Sequence, residues 1–277
     1  MTVIEKAYAK INLFLDVTER RDDGFHNIVS VMQSVSLADT ITLEAKKSNE
    51  TSICISCDDP ELPIDQNNLI YKAAQKYLEY FGIDAEINVY LEKMIPVGAG
   101  LGGGSSDAAA TLRALDKIFG LSWGDELLTI AAELGSDVPF CLIGGRAFCT
   151  GRGEKMEPIT DYPINHFVIS IGNEKISTPM AYRALDEKYN NFDGSIYVPK
   201  EYDGGVYNLF ESVTIIDDIA KIKEMMIKNR AECTLMSGSG PSVFGIFKNK
   251  KDAKEVAQIL NSHGFVAHYC YSVKEIL

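Results

Sequence analysis

The spacing of apolar and polar residues divides the chain into short elements of two kinds. EKAYAKINLFLDV alternates with a period of two, as a strand with one buried face does. VSLADTITLEAKK and TSICISC repeat that pattern, with turn residues Asp22, Asp23 and Gly24 separating the first two strands. NNLIYKAAQKYLEYFG switches to helical spacing and stops at Gly82, and INVYLEKMIP is again a strand that runs into a glycine-rich loop. Beyond the loop, SSDAAATLRALDKIFG is alanine-rich, amphipathic and closed by Gly120, the clearest helix of the chain. WGDELLTIAAELG predicts another helix, and PFCLIGGRAFCTGRGEKMEPI reads as two short strands turning at Gly144 and Gly145.

After about Glu157 the texture changes, which places an expected domain boundary there: residues 1–157 and 158–277. A proline-bearing connection leads to a strand, HFVISIG, a helix from Thr178 and a polar, tyrosine-rich stretch, NNFDGSIYVPKEYDGGVYN. The remainder reads helix (IDDIAKIKEMMIKN), strand (ECTLMSG), strand (SVFGIFKN), helix (KKDAKEVAQILNSHG) and strand (FVAHYCYSV). This α+β alternation resembles a small split βαβ plait. No internal repeat or low-complexity tract interrupts it.

Composition narrows the function classes. With 277 residues, 46% hydrophobic and 24% charged, the chain reads as an ordinary folded protein with ample core, neither disordered nor fibrous. Against 39 acidic residues stand 27 basic ones, a net charge of −12 that repels polyanions, so nucleic acid is not an expected partner. No run of 18 apolar residues predicts a membrane span. The first residues lack the layout of a signal peptide, and a cytoplasmic location is expected. The six cysteines (Cys54, Cys57, Cys141, Cys149, Cys233 and Cys270) then read as reduced thiols, with Cys54 and Cys57 forming a lone CxxC in a strand that runs into a turn. His263 and His268 lie at no metal-binding spacing.

The stretch from Pro96 to Asp107, PVGAGLGGGSSD, places five glycines between a strand and a helix. Such a loop bares its N–H groups at the positive end of the following helix and lets the main chain approach anionic oxygens without a Cβ in the way. Ser105 and Ser106 fall where the helix is expected to begin, and either hydroxyl can cap it or ligate a phosphate or phosphate-bound Mg²⁺. The loop is not a Walker A motif, since no Lys-Ser/Thr pair follows at the required spacing. Gly98, Gly100 and Gly103 satisfy GxGxxG, but no βαβ unit with a strand-end acid follows, so a nicotinamide site is a weak reading. Two charges sit in odd places for solvated groups: Lys10 inside the alternating AYAKINLFL, and Asp137 in LGSDVPF, expected as a turn between a helix and an apolar strand. Phosphoryl transfer to a hydroxyl uses such a pair, one to steady charge and one to take up the proton. The bland readings are a lysine pointing into water from an edge strand and an aspartate capping a turn.

In their order and spacing, AYAKINLFL, PVGAGLGGGSSDAA, LGSDVPF and SGSGPSVF resemble the GHMP kinases. DGFHNIVSVMQ, CTGRGEKMEPI and STPMAY are similar to the branch of that family whose small-molecule acceptor carries a cytidyl diphosphate. The resemblance implies a two-domain fold: an N-terminal ATP-binding and catalytic domain like ribosomal protein S5 domain 2, and a C-terminal ferredoxin-like domain that contributes to the substrate site. It implies ATP and Mg²⁺ as cofactors, with the Mg²⁺ ligands unassigned, and a monomer or homodimer. It implies Asp137 as the base, with Lys10 and Asn12 beside it. Phe25 and Tyr182 would stack on the cytosine, His26 would bond its edge, and Thr178 would lie near the substrate. Asn68, Lys93, Pro96, Gly98, Gly100, Leu101, Gly102, Gly103, Gly104, Ser105 and Ser106 would face ATP, with Gly238, Ser239 and Gly240 closing the site from the second domain. Phe25 stands where many members carry Tyr, and NLFE from Asn208 departs from the usual Asn-Asp-x-Glu. A GHMP kinase for a sugar, homoserine or mevalonate-type acceptor, and a silent nucleotide-binding module, are the rival readings.

Overall fold

Two long antiparallel strands, β1 (Thr2–Arg20) and β2 (His26–Lys47), form the spine of the molecule. The computed structural model describes residues 1–122, 125–174, 176–189 and 205–276. The tyrosine-rich stretch lies outside the described residues as far as residue 204. Along the spine, β3 (Ser52–Cys57) precedes α1 (Leu69–Phe81), and β4 (Ala85–Glu92) precedes α2 (Gly103–Phe119). Asn68 caps α1 by accepting from the Ile70 N–H at 2.9 Å, and Gly82 ends that helix in the left-handed region that its missing Cβ permits. After α3 (Glu126–Leu134) comes a correction to the sequence reading: PFCLI, expected as a strand, lies in a short helix, α4 (Val138–Ile143). Only then come the strands β5 (Arg146–Thr150) and β6 (Lys155–Pro158).

The second half supplies β7 (His166–Ile171), α5 (Thr178–Lys188), β8 (Tyr207–Asn208), α6 (Asp217–Lys228), β9 (Cys233–Met236), β10 (Val243–Phe247), α7 (Lys250–Ser262) and β11 (Val266–Tyr271). Strands β11, β7, β10 and β9 lie in that order in an antiparallel sheet, the strand order of a ferredoxin-like plait. The larger sheet runs β3, β4, β2, β1, β8, with β5 and β6 attached through β2. Because β8 pairs with β1 at Phe14 and Leu15, β1 is flanked on both sides there and is not an edge strand. The α+β, two-sheet architecture expected from the sequence is therefore present. No helix among the described residues is long and apolar enough to cross a membrane.

One irregularity of the spine matters for the site. Tyr8 pairs with Ala38 but Lys10 pairs with Ser34, so β2 bulges against β1 at this point. Beyond the bulge, Lys10 and Asn12 stay two residues apart on one face, and both are buried.

Farther along β1, Asp16 is buried with one oxygen held by the Val17 N–H at 2.9 Å. Burial pushes its carboxyl up to about 6. A raised folded-state pKa means that the folded chain holds the proton longer than the unfolded one, so stability falls as pH rises from about 4 to about 6 and stays lower above that. Asp16→Asn is expected to raise stability at pH 7 by about 1–2 kcal/mol, with the gain fading below pH 5. Thermal melts of both proteins across that range check it, and an equal gain at pH 4 and pH 7 would disprove it.

Candidate active site

Two cavities meet at the glycine loop. The larger, 980 Å³, is bordered by Lys10, Asn12, Phe25, His26, Asp137, Thr178, Tyr182, Gly238 and Ser239. The smaller, 360 Å³, is bordered by Asn68, Lys93, Pro96 and every residue from Val97 to Ser105. Gly100, Gly102 and Ser105 border both. A group held by the loop in the small cavity therefore faces the large one across a wall made mostly of backbone.

The loop is built to present N–H groups. Gly102 stands at the N-cap of α2 in the left-handed region and offers no side-chain acceptor, so the first N–H groups of that helix stay available to a ligand. The loop's carbonyls are held elsewhere. Leu101 O accepts from the Lys10 N–H at 2.9 Å, Gly100 O from the Ser237 hydroxyl at 3.0 Å, and Ala99 O from the Ser242 hydroxyl at 2.5 Å. Carbonyls taken up by β1 and by the second sheet leave the amides for the cavity, the arrangement that binds anions. Ser237 and Ser242 hold the loop in place and were passed over by the sequence reading, although both stand in the quoted SGSGPSVF.

At the floor of the large cavity the Lys10 ammonium lies 3.4 Å from Asp137 Oδ2 and donates to Asn12 Oδ1 at 2.9 Å. The Asn12 amide in turn donates to Ser30 Oγ at 2.8 Å. Asp137 is the N-cap residue of α4 but makes no side-chain capping bond, so its carboxylate is left for the cavity. Lys10 is buried between strands while Asp137 is about one-third exposed, an arrangement in which the lysine is fixed and the carboxylate can meet a hydroxyl. Lys10 does not point into water, and Asp137 lies in a turn, as the bland reading had it, without making a capping bond.

The structure corrects several sequence placements. The α2 helix starts at Gly103, earlier than expected, which turns Ser106 inward: it is buried, and its hydroxyl donates to the Tyr8 carbonyl of β1. Ser105 alone of the two serines borders the cavities. Lys93 borders the nucleotide-sized cavity, but its ammonium is neutralised by Asp39 and by Asp107 at 3.0 Å. Burial alone would depress that ammonium, and the two carboxylates reverse this and raise its pKa. Asp39 also accepts from the Met94 and Ile95 N–H groups at 2.6 and 2.7 Å, so the triad clamps the entry of the loop and adds no net positive field. Gly238 and Ser239 border the larger cavity, where Ser239 meets the Thr178 hydroxyl at 2.8 Å, and Gly240 borders neither. In NLFE, Leu209 is buried, while Asn208 donates to Met236 O and Gly238 O and Glu211 accepts from the Met236 N–H. The departure from the family pattern leaves these supporting bonds in place.

At the wide end of the large cavity, α5 carries Tyr182 and Asp186 one turn apart. The His26 ring stacks on Tyr182 at 4.7 Å and 21°, and its Nε2 lies 2.7 Å from Asp186 Oδ1. The imidazole thus covers a face of Tyr182, which the resemblance had reserved for a base. Phe25 is half exposed with the Arg152 guanidinium 5.2 Å from its ring centre, and Arg20 and Arg183 border the same end. Sequence reasoning missed Asp186 because nothing local links it to a histidine 160 residues away.

Glycine-rich loop, lysine–aspartate pair and two-sheet frame match the small-molecule kinases that comparison with known proteins identifies. Residues 68–145 match the GHMP kinase N-terminal domain and residues 208–265 the GHMP kinase C-terminal domain. The chain belongs to the GHMP kinase family. It is 42% identical over 270 residues to a 4-diphosphocytidyl-2-C-methyl-D-erythritol kinase of Caldicellulosiruptor saccharolyticus, covering 93% of this chain and 92% of that one. It is 38% identical over 287 residues to the enzyme of that name from Bacillus subtilis, covering 100% and 98%. A crystal structure of 4-(cytidine 5'-diphospho)-2C-methyl-D-erythritol kinase superposes with a TM-score of 0.82 at 31% identity, covering 98% of this chain and 99% of that one.

Proposed function

We propose that the chain transfers the γ-phosphoryl group of ATP to the 2-hydroxyl of 4-diphosphocytidyl-2-C-methyl-D-erythritol, in the cytoplasm, as a step of non-mevalonate isoprenoid precursor synthesis. The observation that carries this reading is the placement of Lys10 and Asp137 3.4 Å apart in the cavity that shares a backbone wall with the nucleotide-sized one. ATP lies in the smaller cavity with its phosphates on the loop amides, and the acceptor lies in the larger. The acceptor oxygen attacks the γ-phosphorus, the bond to the ADP oxygen breaks, and the hydroxyl proton passes to Asp137. Lys10, held by Asn12, steadies the charge that develops. At the wide end, Phe25 and Tyr182 take the cytosine, His26 leaving the Tyr182 face for the base's edge. The arginines there face the acceptor's diphosphate.

Among the described residues no cluster of three or more His, Cys, Asp or Glu could hold a metal by itself. Ser105 borders both cavities and would help hold Mg²⁺ carried mainly by nucleotide phosphates, and the ion would offset charge on the phosphoryl oxygens.

Release of ADP coupled to acceptor consumption tests the reading. The cytidyl acceptor should support turnover while homoserine and mevalonate do not, and ADP release that is indifferent to the acceptor would defeat the assignment. Phe25→Ala should raise KM for the cytidyl acceptor by about 10-fold, the loss of one stacked base face, and leave KM for ATP unchanged.

A further inference from the structure

One buried charged side chain, Arg113, lines neither cavity but touches the elements that border them. Arg113 is about 1% exposed, the largest fully buried side chain among the described residues. It sits on α2 two turns beyond Ser106, on the same face toward β1. Its Nε donates to Glu5 Oε2 at 3.1 Å and its Nη2 to Lys6 O at 2.9 Å, both on β1. Its Nη1 donates to Cys141 O at 3.0 Å and Leu142 O at 3.4 Å, in the last turn of α4. One planar guanidinium therefore joins three elements, each of which carries one part of the chemistry: α2 begins at the phosphate loop, β1 carries Lys10 and Asn12, and α4 begins at Asp137.

The need for such a joint follows from α4 itself. A helix of six residues does not hold its own shape or position in water, and its final carbonyls have no partner within the helix. Arg113 supplies both missing elements, donors for two of those carbonyls and a positive charge at the negative end of the helix dipole. Glu5, which also accepts from Lys117 at 2.5 Å, balances the buried charge. At a rise of about 1.5 Å per residue, α4 is a rod of about 9 Å with the guanidinium at one end and Asp137 at the other, so a tilt at the guanidinium end is carried to the carboxylate.

We propose that Arg113 is a positioning residue of the transfer reaction: it fixes Asp137 relative to Lys10 and the loop, and without it the protein binds its substrates but aligns them poorly. This rests on the assignment of Asp137 as the base. The phosphate loop keeps its own supports, the hydroxyls of Ser237 and Ser242, so nucleotide binding does not depend on Arg113.

The test compares wild type, Arg113→Met, Arg113→Lys and Asp137→Asn, assayed well below each melting temperature after a check of folded content by circular dichroism and gel filtration. Arg113→Met is expected to lower kcat by about 100-fold, the effect of a misplacement near 1 Å, with KM for ATP within about threefold of wild type. Arg113→Lys keeps the cation but reaches one element at a time, and is expected to recover part of kcat. Should Arg113→Met fail to fold, Arg113→Lys decides alone through a kcat at least about fivefold below wild type with KM for ATP unchanged. A lowered melting temperature with wild-type kcat in the folded variants would make Arg113 an ordinary core residue and overturn the proposal. Full activity of Asp137→Asn would instead remove the assignment on which it rests, whatever the Arg113 variants do.

Discussion

Replacement of Asp137 by Asn is expected to cut kcat by about 10²–10⁴ while leaving ATP affinity within about twofold. The substitution keeps shape, since the amide oxygen can still lie near the Lys10 ammonium, and changes only the ability to receive a proton. Asp137 borders the acceptor cavity alone, whereas the smaller cavity is shaped by the loop, so nucleotide binding has no direct stake in the carboxylate. Lys10 does not replace it as the base: its ammonium is directed at Asp137 and Asn12 and donates to the Asn12 carbonyl oxygen. Steady-state kinetics with the cytidyl acceptor, alongside nucleotide titration by calorimetry, separates the two quantities. A variant that turns over at the wild-type rate would exclude Asp137 from proton transfer and leave Lys10 as a cation without a base.

What could be read in advance follows the range of the interactions concerned. Elements of strong period, such as α1 between Asn68 and Gly82 or the plait strands, were legible because their signals are local. PFCLI was not, since a short apolar run suits a buried strand and a buried helix equally. The clue was Pro139 in the first turn of α4, where its missing N–H costs nothing. Ser106 failed for a related reason: a helix that starts at Gly103 rotates each later residue by about 100°, enough to exchange a cavity wall for the core. Lys10 and Asp137 were singled out as two charges in improbable settings, yet the bonds that hold them and the loop were not visible. Lys93 meets Asp39 across 54 positions, Gly100 meets Ser237 across 137, and Arg113 meets Glu5 across 108. Such partners are chosen by the fold and leave no spacing to detect.

The close approach of the two sheets at the loop yields the second large effect. Gly100 adopts φ +75°, and a Cβ there would collide with the Ser237 carbonyl and press on the Gly240 carbonyl at 3.1 Å. Gly98 adopts a similar φ of +69° but has nothing within 4 Å of the same position. The pair separates two penalties that usually come together. Gly98→Ala meets only the left-handed backbone cost of about 1 kcal/mol, whereas Gly100→Ala adds overpacking against main chain that cannot rotate away, about 1–3 kcal/mol more. Since the Ser237 hydroxyl holds the Gly100 carbonyl, the displaced loop also turns its amides from the cavity. The expected result for Gly100→Ala is a melting temperature lower by about 5–10 °C and an ATP affinity reduced by at least about 10-fold, with Gly98→Ala close to wild type in affinity. Melting curves and nucleotide titration of the two variants provide the comparison. Equal losses would mean that backbone strain alone shapes the loop, and would deny the second sheet any part in presenting the phosphate-binding amides.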